Sequence, residues 1–240
     1  MTTPVPPRPA STVVVLRPRD ETFEVLLVRR NDRVAFMAGA FVFPGGRVDT
    51  ADHPSAAEPA VPRAPRRFAD LSAEDEAAYR RAAARELQEE AAVSVDLDDL
   101  IPFAHWVTPD IEIRRYDTRF FLTMLPPGQE ARHDDSETTE IAWCTPTDAL
   151  ERGLSREIML PPPTWTTLRQ LERQASLDAA LLWARTTPVV RIQPTFVKDG
   201  ATSILALPGD PSFPTIEGWV VPVETRFVLE EGRGWLPARV

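Results

Sequence analysis

The stretch AEDEAAYRRAAARELQEEAAV, residues 73–93, constrains this chain more than any other. It is dense in Ala, Glu, Leu, Arg and Gln, residues that lose little rotamer freedom in a helix. Ser72 and Asp75 have capping-box spacing, with Asp in place of the usual Glu, so a helix is expected to begin at Ser72. Ala83, Leu87 and Ala91 recur on one stripe of that helix. Small side chains there let a helix lie close to a sheet. Strand-like runs surround it. STVVVLR (11–17) and TFEVLLVRR (22–30) read as a hairpin about PRDE, and GAFVF (39–43) as a third strand. IPFAHWVTP (101–109), RRYDTRFFLTML (114–125) and TEIAWCTP (139–146) read as three more. DALERG (148–153) and TWTTLRQLERQASLDAALLWART (164–186) are expected to be helical, and the tail from 188 returns to short β-like runs. The order predicts an α/β fold, with helices flanking a central mixed β-sheet.

At 240 residues the chain suits one large domain or a domain with an appendage. We expect a flexible arm at 1–10, a main domain at 11–187 and a β-rich extension at 188–240 packed on it. Residues 53–71, rich in Pro, Ala and Arg without periodicity, read as an irregular surface loop. The net charge of −9 argues against duplex nucleic acid as a partner. No apolar run approaches the roughly 20 residues of a membrane span. Cys144 is the single cysteine, so no internal disulfide forms; it reads as a small buried residue. With no apolar signal-peptide core in MTTPVPPRPA, a cytoplasmic location is expected.

Two features suggest chemistry. Glu86, Glu89 and Glu90 lie within roughly one hundred degrees of helical arc. Carboxylates gathered so closely repel one another, and a divalent cation with oxygen ligands removes that penalty. The second feature is AFVFPGG (40–46), an apolar strand running into Pro44, Gly45 and Gly46, where the diglycine is expected to turn the chain. Each alone is ordinary: acidic helix ends are mostly solvated, and most such turns do nothing.

Together, and in this order, they resemble the Nudix box, G-x5-E-x7-R-E-U-x-E-E-x-G-U, where U is apolar. Gly46 matches the leading glycine and RELQEE (85–90) matches R-E-U-x-E-E without a gap; Val93 matches the closing apolar position. Asp52 stands where the family has Glu, and Ala92 where it has Gly. A stretch of 32 residues (53–84) replaces the seven between Asp52 and Arg85. Loop entropy grows slowly with length, so such an insert is tolerable. LLVRRNDRVAFMAGAFVFPGG (26–46) is similar to the segment L-L-x-x-R-S/A-x3-R-x3-G-x3-F-P-G-G of coenzyme A diphosphatases. Asn31 and Ala35 depart from it, Ala35 replacing an arginine of that signature. The long box insert, HWVTPD, RRYDTRFF and LPGDPSF resemble most the branch containing the mammalian peroxisomal coenzyme A diphosphatase, so the likeness spans most of residues 11–215.

The resemblance implies a Nudix-type α/β/α sandwich and a diphosphatase requiring Mg²⁺ or Mn²⁺. Glu86 and Glu90 would be metal ligands, Glu89 a third ligand or the base for water, and the Gly46 carbonyl would complete the cage. Arg85 would pair with Asp52. Glu137 and Glu140 are candidates for a further acid or base. Arg47 and Arg115, ahead of Arg30 and Arg114, are candidates for diphosphate contacts, and Trp106 for base stacking or core packing. The implied substrate is a nucleoside-diphosphate-linked small molecule such as coenzyme A or an acyl-CoA. Ala35 keeps ADP-ribose, a dinucleoside polyphosphate or an oxidised nucleotide as alternatives. A catalytically silent nucleotide sensor and a homodimer also stay open.

Overall fold

The computed structural model describes residues 4–31, 38–55, 67–133, 138–230 and 234–238. Twelve strands and four α-helices follow one another among them. The strands are β1 (Arg8–Arg19), β2 (Thr22–Arg30), β3 (Phe41–Val42), β4 (Gly45–Arg47), β5 (Ile101–Val107), β6 (Tyr116–Met124), β7 (Thr138–Cys144), β8 (Arg191–Ile192), β9 (Thr195–Asp199), β10 (Thr202–Ala206), β11 (Arg226–Glu230) and β12 (Gly234–Ala238). The helices are α1 (Ala73–Ala91), α2 (Pro146–Leu154), α3 (Pro162–Glu172) and α4 (Leu177–Thr186).

The main sheet runs β3-β2-β1-β6-β5-β8, with β4 also pairing β1 and β7 pairing β2. It is mixed: β1 with β6 and β5 with β8 are parallel, the other pairs antiparallel. Alternation along β1 separates two cores. Val13 and Val15 join Ala83, Leu87 and Ala91 of α1, whereas Val14 and Leu16 join the residues of α2, α3 and α4. This is the α/β/α sandwich expected. The small stripe of α1 is fully buried. Leu87 alone contributes about 1.5–3 kcal/mol by leaving water.

Local signals account for the ends of α1. Ser72 Oγ accepts from Asp75 N at 3.0 Å and donates to the Asp75 carboxylate at 2.7 Å. At the other end Ala92 takes the left-handed conformation, φ 56° and ψ 28°. Its N–H donates to Gln88 O, and Val93 N–H reaches Leu87 O. The chain therefore makes the turn that the family makes with glycine, at the cost of a left-handed alanine.

Four expectations change. The strand β1 begins at Arg8, inside the stretch read as an arm, because Arg8–Leu16 pairs in parallel with Tyr116–Met124. The long helix at 164–186 is two helices: Ser176 caps α4 by accepting from Ala179 N at 3.2 Å, and Arg173–Ser176 breaks the run. The loop read as surface at 53–71 ends docked. Phe68 is buried edge-on against Phe121, its N–H donates to Glu76, and Asp70 takes both guanidinium nitrogens of Arg119 at 2.8 Å. These hydrogen bonds hold the Asp70 carboxyl below the usual carboxylate range. Lastly, Gly45 and Gly46 lie in β4, paired with Thr12 and Ser11, and do not form a turn.

In the tail, β12-β11-β10-β9 form a second, antiparallel sheet. Leu205, Leu207 and Phe227 from this region are buried in the same core as α3 and α4. Cys144 is buried, and burial pushes its thiol up to about 11, so it stays unreactive at neutral pH. Among the described residues no helix is long and apolar enough to cross a membrane.

Candidate active site

The diglycine needs no unusual backbone angles; it needs room. A Cβ on Gly45 would overlap the backbone of Ser11 and Thr12 in β1. A Cβ on Gly46 would overlap the carboxylate of Glu86. Glycine at 46 is thus what lets α1 bring a carboxylate against the strand. Glu90, one turn on, accepts from Gly45 N–H at 2.9 Å. Its own carbonyl accepts from the Thr138 hydroxyl at 3.0 Å, so β7 clamps the end of the helix.

Arg85 organises the rest. Its Nε and Nη2 fork onto Asp52 at 3.0 and 2.9 Å. Its Nη1 reaches Glu86 at 2.8 Å and Glu89 at 3.0 Å, and Nη2 also donates to Arg47 O at 3.0 Å. Asp52 is one methylene shorter than the family's Glu, yet the pair closes, because a 3-10 turn at Thr50–Asp52 carries the carboxylate forward. Asp49 N–H donates to Asp52 Oδ2 at 2.8 Å, completing its acceptors. The Asp52 hydrogen bonds, with those of Glu86, raise the pKa of Arg85 against the opposing effect of burial. Arg85 therefore stays cationic throughout any working pH.

A cleft of about 550 Å³ opens over this group, lined by Gly46, Arg47, Asp49, Arg85, Glu86 and Glu89 among others. Glu86 and Glu90 are buried; Glu89 is exposed, with 57% of its side chain open. The three carboxylates are not drawn into one cage as the sequence suggested. Glu86 and Glu89 share the Arg85 guanidinium and Glu90 turns to Gly45. Among the described residues no three His, Cys, Asp or Glu side chains form a metal-binding group. The donor set around Glu86, Glu89 and the Gly46 backbone is still all oxygen and open to the cleft, which fits a hard divalent cation that keeps water and phosphate ligands.

The other candidates divide. Arg47 lines the cleft, half-exposed and only 3.9 Å from Asp49. Arg115 does not: it is buried, donating to Val5 O at 2.6 Å and Thr108 O at 3.1 Å and paired with Asp110, so it braces the chain around 108–110. Trp106 is buried edge-on to Trp219 at 6.2 Å and also walls a second, mostly apolar pocket of about 190 Å³. Glu140 is exposed on β7 opposite Arg29 and is not among the residues lining the cleft. Glu137 and Ala35 lie outside the described residues. The sequence ranked Arg30 below Arg115; the structure reverses that order, since Arg30 lines both cavities. The signal available was its place at the end of β2, one strand from the diglycine.

Comparison with known proteins agrees with the fold. Residues 87–171 match the family model described as the NUDT19 Nudix domain. The chain is 26% identical to the acyl-coenzyme A diphosphatase NUDT19 of Homo sapiens over 67% of its own length and 64% of that protein's. It is 28% identical to that of Gallus gallus over 65% and 63%, and 26% identical to that of Xenopus laevis over 62% and 60%. The match thus spans less than two thirds of these relatives' length. Among solved structures it is similar to a NUDIX hydrolase from Alicyclobacillus acidocaldarius, with a TM-score of 0.61 and 25% identity over 74% of this chain and 96% of that one.

Proposed function

We propose that this chain, a Nudix-fold protein resembling the coenzyme A diphosphatase-like branch of that superfamily, hydrolyses the diphosphate bond of a nucleoside-diphosphate-linked small molecule, coenzyme A or an acyl-CoA. The observation that carries the reading is the Arg85 hub. One guanidinium locks the Asp52 turn while touching Glu86 and Glu89 at the floor of the cleft, and Glu86 lies where only a glycine leaves space. A structural helix has no need of this arrangement beside an open cleft.

Glu86, Glu89, Glu90 and the Gly46 carbonyl are the groups that would hold Mg²⁺ or Mn²⁺. Such an ion neutralises phosphate charge and lowers the pKa of a bound water. Arg85 fixes the carboxylates against their mutual repulsion. Glu89, the most open of them, would be a third ligand or take the proton of the attacking water. Arg47 offers a guanidinium at the rim to a phosphate oxygen. The apolar pocket beside the cleft, walled by Phe43, Trp106, Pro161 and Pro163, suits the non-phosphate part of a substrate. The unit proposed to carry this activity runs from β1 to β8, with the second sheet as an extension packed on it, acting in the cytoplasm on a small molecule and not on duplex nucleic acid.

The test is a substrate panel with and without Mg²⁺ or Mn²⁺, with products weighed by mass spectrometry: coenzyme A, an acyl-CoA, ADP-ribose, a dinucleoside polyphosphate and an oxidised nucleotide. Metal-dependent release of two phosphate esters from a coenzyme A substrate is expected. Glu86→Gln should reduce turnover by roughly 10²–10³-fold, the usual cost of losing one preorganised electrostatic group. Full turnover by that variant would overturn the mechanism. Preference for ADP-ribose would move the substrate assignment, and saturable binding without turnover under any metal would make the chain a sensor.

A further inference from the structure

Away from the cleft, on the α1 face of the sheet, lies a cavity of about 430 Å³ lined by Arg67, Ala69, Asp70, His105, Val189 and Arg191. None of these residues lines the cleft or the apolar pocket beside it. Arg191, His105, Arg119, Ser11 and Gly46 are register partners across β8, β5, β6, β1 and β4, so they form one row on one face. Gly46 meets Glu86 at one end of the row. Arg191 stands at the other, four interstrand spacings of about 4.8 Å away, roughly 19 Å. His105 is 3% exposed, and its Nε2 lies 2.8 Å from Asp117 Oδ1. Burial works against the Asp117 carboxylate, but the hydrogen bond from His105 and the positive charges beside it outweigh burial and hold the carboxyl below its usual range. With Nε2 turned to Asp117, Nδ1 is the ring nitrogen left to meet the cavity, and it makes no hydrogen bond among the described residues. Arg191 bonds the Gln193 amide oxygen at 3.0 Å and has no carboxylate partner among the described residues. Arg67 meets Glu76 through Nε at 3.3 Å, and its terminal nitrogens make no hydrogen bond among the described residues. Asp70 is occupied by both terminal nitrogens of Arg119. The cavity thus gathers two guanidinium groups and a buried imidazole with donor capacity to spare.

We propose that this cavity is a second binding site, for a tetrahedral dianion such as free phosphate or a phosphate monoester, held between the guanidinium groups of Arg67 and Arg191 and the Nδ1–H of a protonated His105. The site does not depend on the diphosphatase reading above. Planar guanidinium forks match the oxygens of such an ion. In neutral His105 the Nε2–H donates to Asp117 and Nδ1 carries a lone pair, which an anion avoids. A second proton makes Nδ1 a donor and turns the bond to Asp117 into a charge-assisted one. Anion binding and protonation therefore favour each other. The groups facing the imidazole set the balance. Asp117 on β6 and Asp70 ahead of α1 favour its cation, while Arg119, Arg191 and Arg67 oppose it until an anion offsets them. Tyr79 of α1 faces the cluster across Arg119 and stays neutral, its hydroxyl pushed up to about 12 chiefly by burial. When filled, the site ties the segment ahead of α1, through Arg67, to the edge strand β8, through Arg191.

The experiment is NMR of the full chain labelled at its histidines, His53, His105 and His133, titrated with inorganic phosphate, glycerol 3-phosphate and sulfate. His53→Gln and His133→Gln assign the His105 ring by elimination. Phosphate should move the His105 ring signals saturably towards those of an imidazolium. Arg191→Gln should weaken that response roughly tenfold, as loss of one charge-assisted hydrogen bond does. Sulfate keeps its charge between about pH 5 and 8, so its affinity reports the imidazole and should fall roughly tenfold or more as pH rises through that range. A glycerol 3-phosphate response matching that of phosphate makes monoesters the occupant, and a response to phosphate alone makes it the free ion; both support the site. Arg47→Gln, in the cleft, should leave the His105 response unchanged. Loss of the response in Arg47→Gln would show that the anion acts from the cleft, and would overturn the proposal. So would a His105 ring that none of the three anions moves, an unweakened response in Arg191→Gln, or sulfate affinity that ignores pH. If Arg191→Gln loses its circular dichroism signal, Arg67→Gln decides by the same readout.

Discussion

The two halves of α1 carry the same kinds of residue at the same kinds of spacing and do different things. In the first half Glu76 and Arg80 pair at 2.7 Å, both side chains 0% exposed. Arg80 also donates to Leu97 O at 2.7 Å and Leu100 O at 2.6 Å, and Glu76 accepts from Arg67 and from Phe68 N–H. These hydrogen bonds all end within the protein. In the second half Arg85 is 29% exposed, and Glu86 and Glu89 share it while opening on a cleft. A dry, internally satisfied ion pair locks a helix to its neighbours. An ion pair whose acceptors outnumber its cation, at the edge of solvent, is poised to exchange partners with a ligand. Burial and the balance of charge, more than residue type, separate scaffold from site.

The strongest way to break this contrast is Glu76→Ala. It takes the paired carboxylate away from a buried guanidinium, and removal of one member of a buried pair costs about 3–5 kcal/mol. In a chain of this size the melting temperature should fall by roughly 10 °C, while kcat per folded molecule holds. A loss below about 1 kcal/mol in urea unfolding would mean the pair is not the lock described here.

Arg85→Lys tests the other half. An ammonium cannot fork onto Asp52 and still reach Glu86 and Glu89. The change should lower kcat/KM by roughly 10- to 100-fold, the range seen when a group that orients metal ligands is lost. Stability should change by no more than about 1 kcal/mol, since the pairing is partly solvated. If Arg85→Lys unfolds the protein as readily as Glu76→Ala, the two halves are both scaffold and the contrast fails.

What could be read beforehand was local. Ser72 with Asp75, the stripe Ala83-Leu87-Ala91 and the run from Arg85 to Glu90 are short-range patterns, and a helix presents them in register wherever it packs. Other features needed the tertiary fold. Gly45-Gly46 looked like a turn because glycine is most often chosen for its backbone freedom. Here it is chosen for the absence of a Cβ facing Ser11 and Glu86, partners 34 and 40 positions away in the sequence. The sequence ranks Arg115 ahead of Arg30, and only the fold reverses that order, sending Arg115 to Val5 and Thr108 and leaving Arg30 on the walls of both cavities. Nothing local in the sequence marks Glu76 and Arg80 as buried; that follows from the docking of Phe68 and of residues 97–100 around them. The break between α3 and α4 depends on Ser176 as a cap, which Gln174 and Ala175, both compatible with continuing a helix, conceal in the sequence.

The smallest effect is expected at the end of α1, where the two halves are fastened to β7. Ala92 holds φ 56° and ψ 28°, a conformation that costs an L-residue about 1–2 kcal/mol and glycine almost nothing. Ala92→Gly removes that strain but adds about 0.4–1 kcal/mol of backbone entropy to the unfolded chain. The net should be a gain of roughly 0.5–1 kcal/mol, seen as a higher urea midpoint at unchanged slope. Because Ala92 is exposed and makes its cap through backbone N–H alone, no side-chain contact is lost to offset the gain. Activity should rise or hold, since the cap sits two residues beyond Glu90 and a steadier turn keeps that carboxylate on Gly45 N–H. A lower midpoint would show that the methyl group of Ala92 packs on something the contact pattern does not reveal. A higher midpoint with slower turnover would show instead that Glu90 must leave Gly45 during the reaction, so that the second half of α1 works by loosening where the first half works by staying shut.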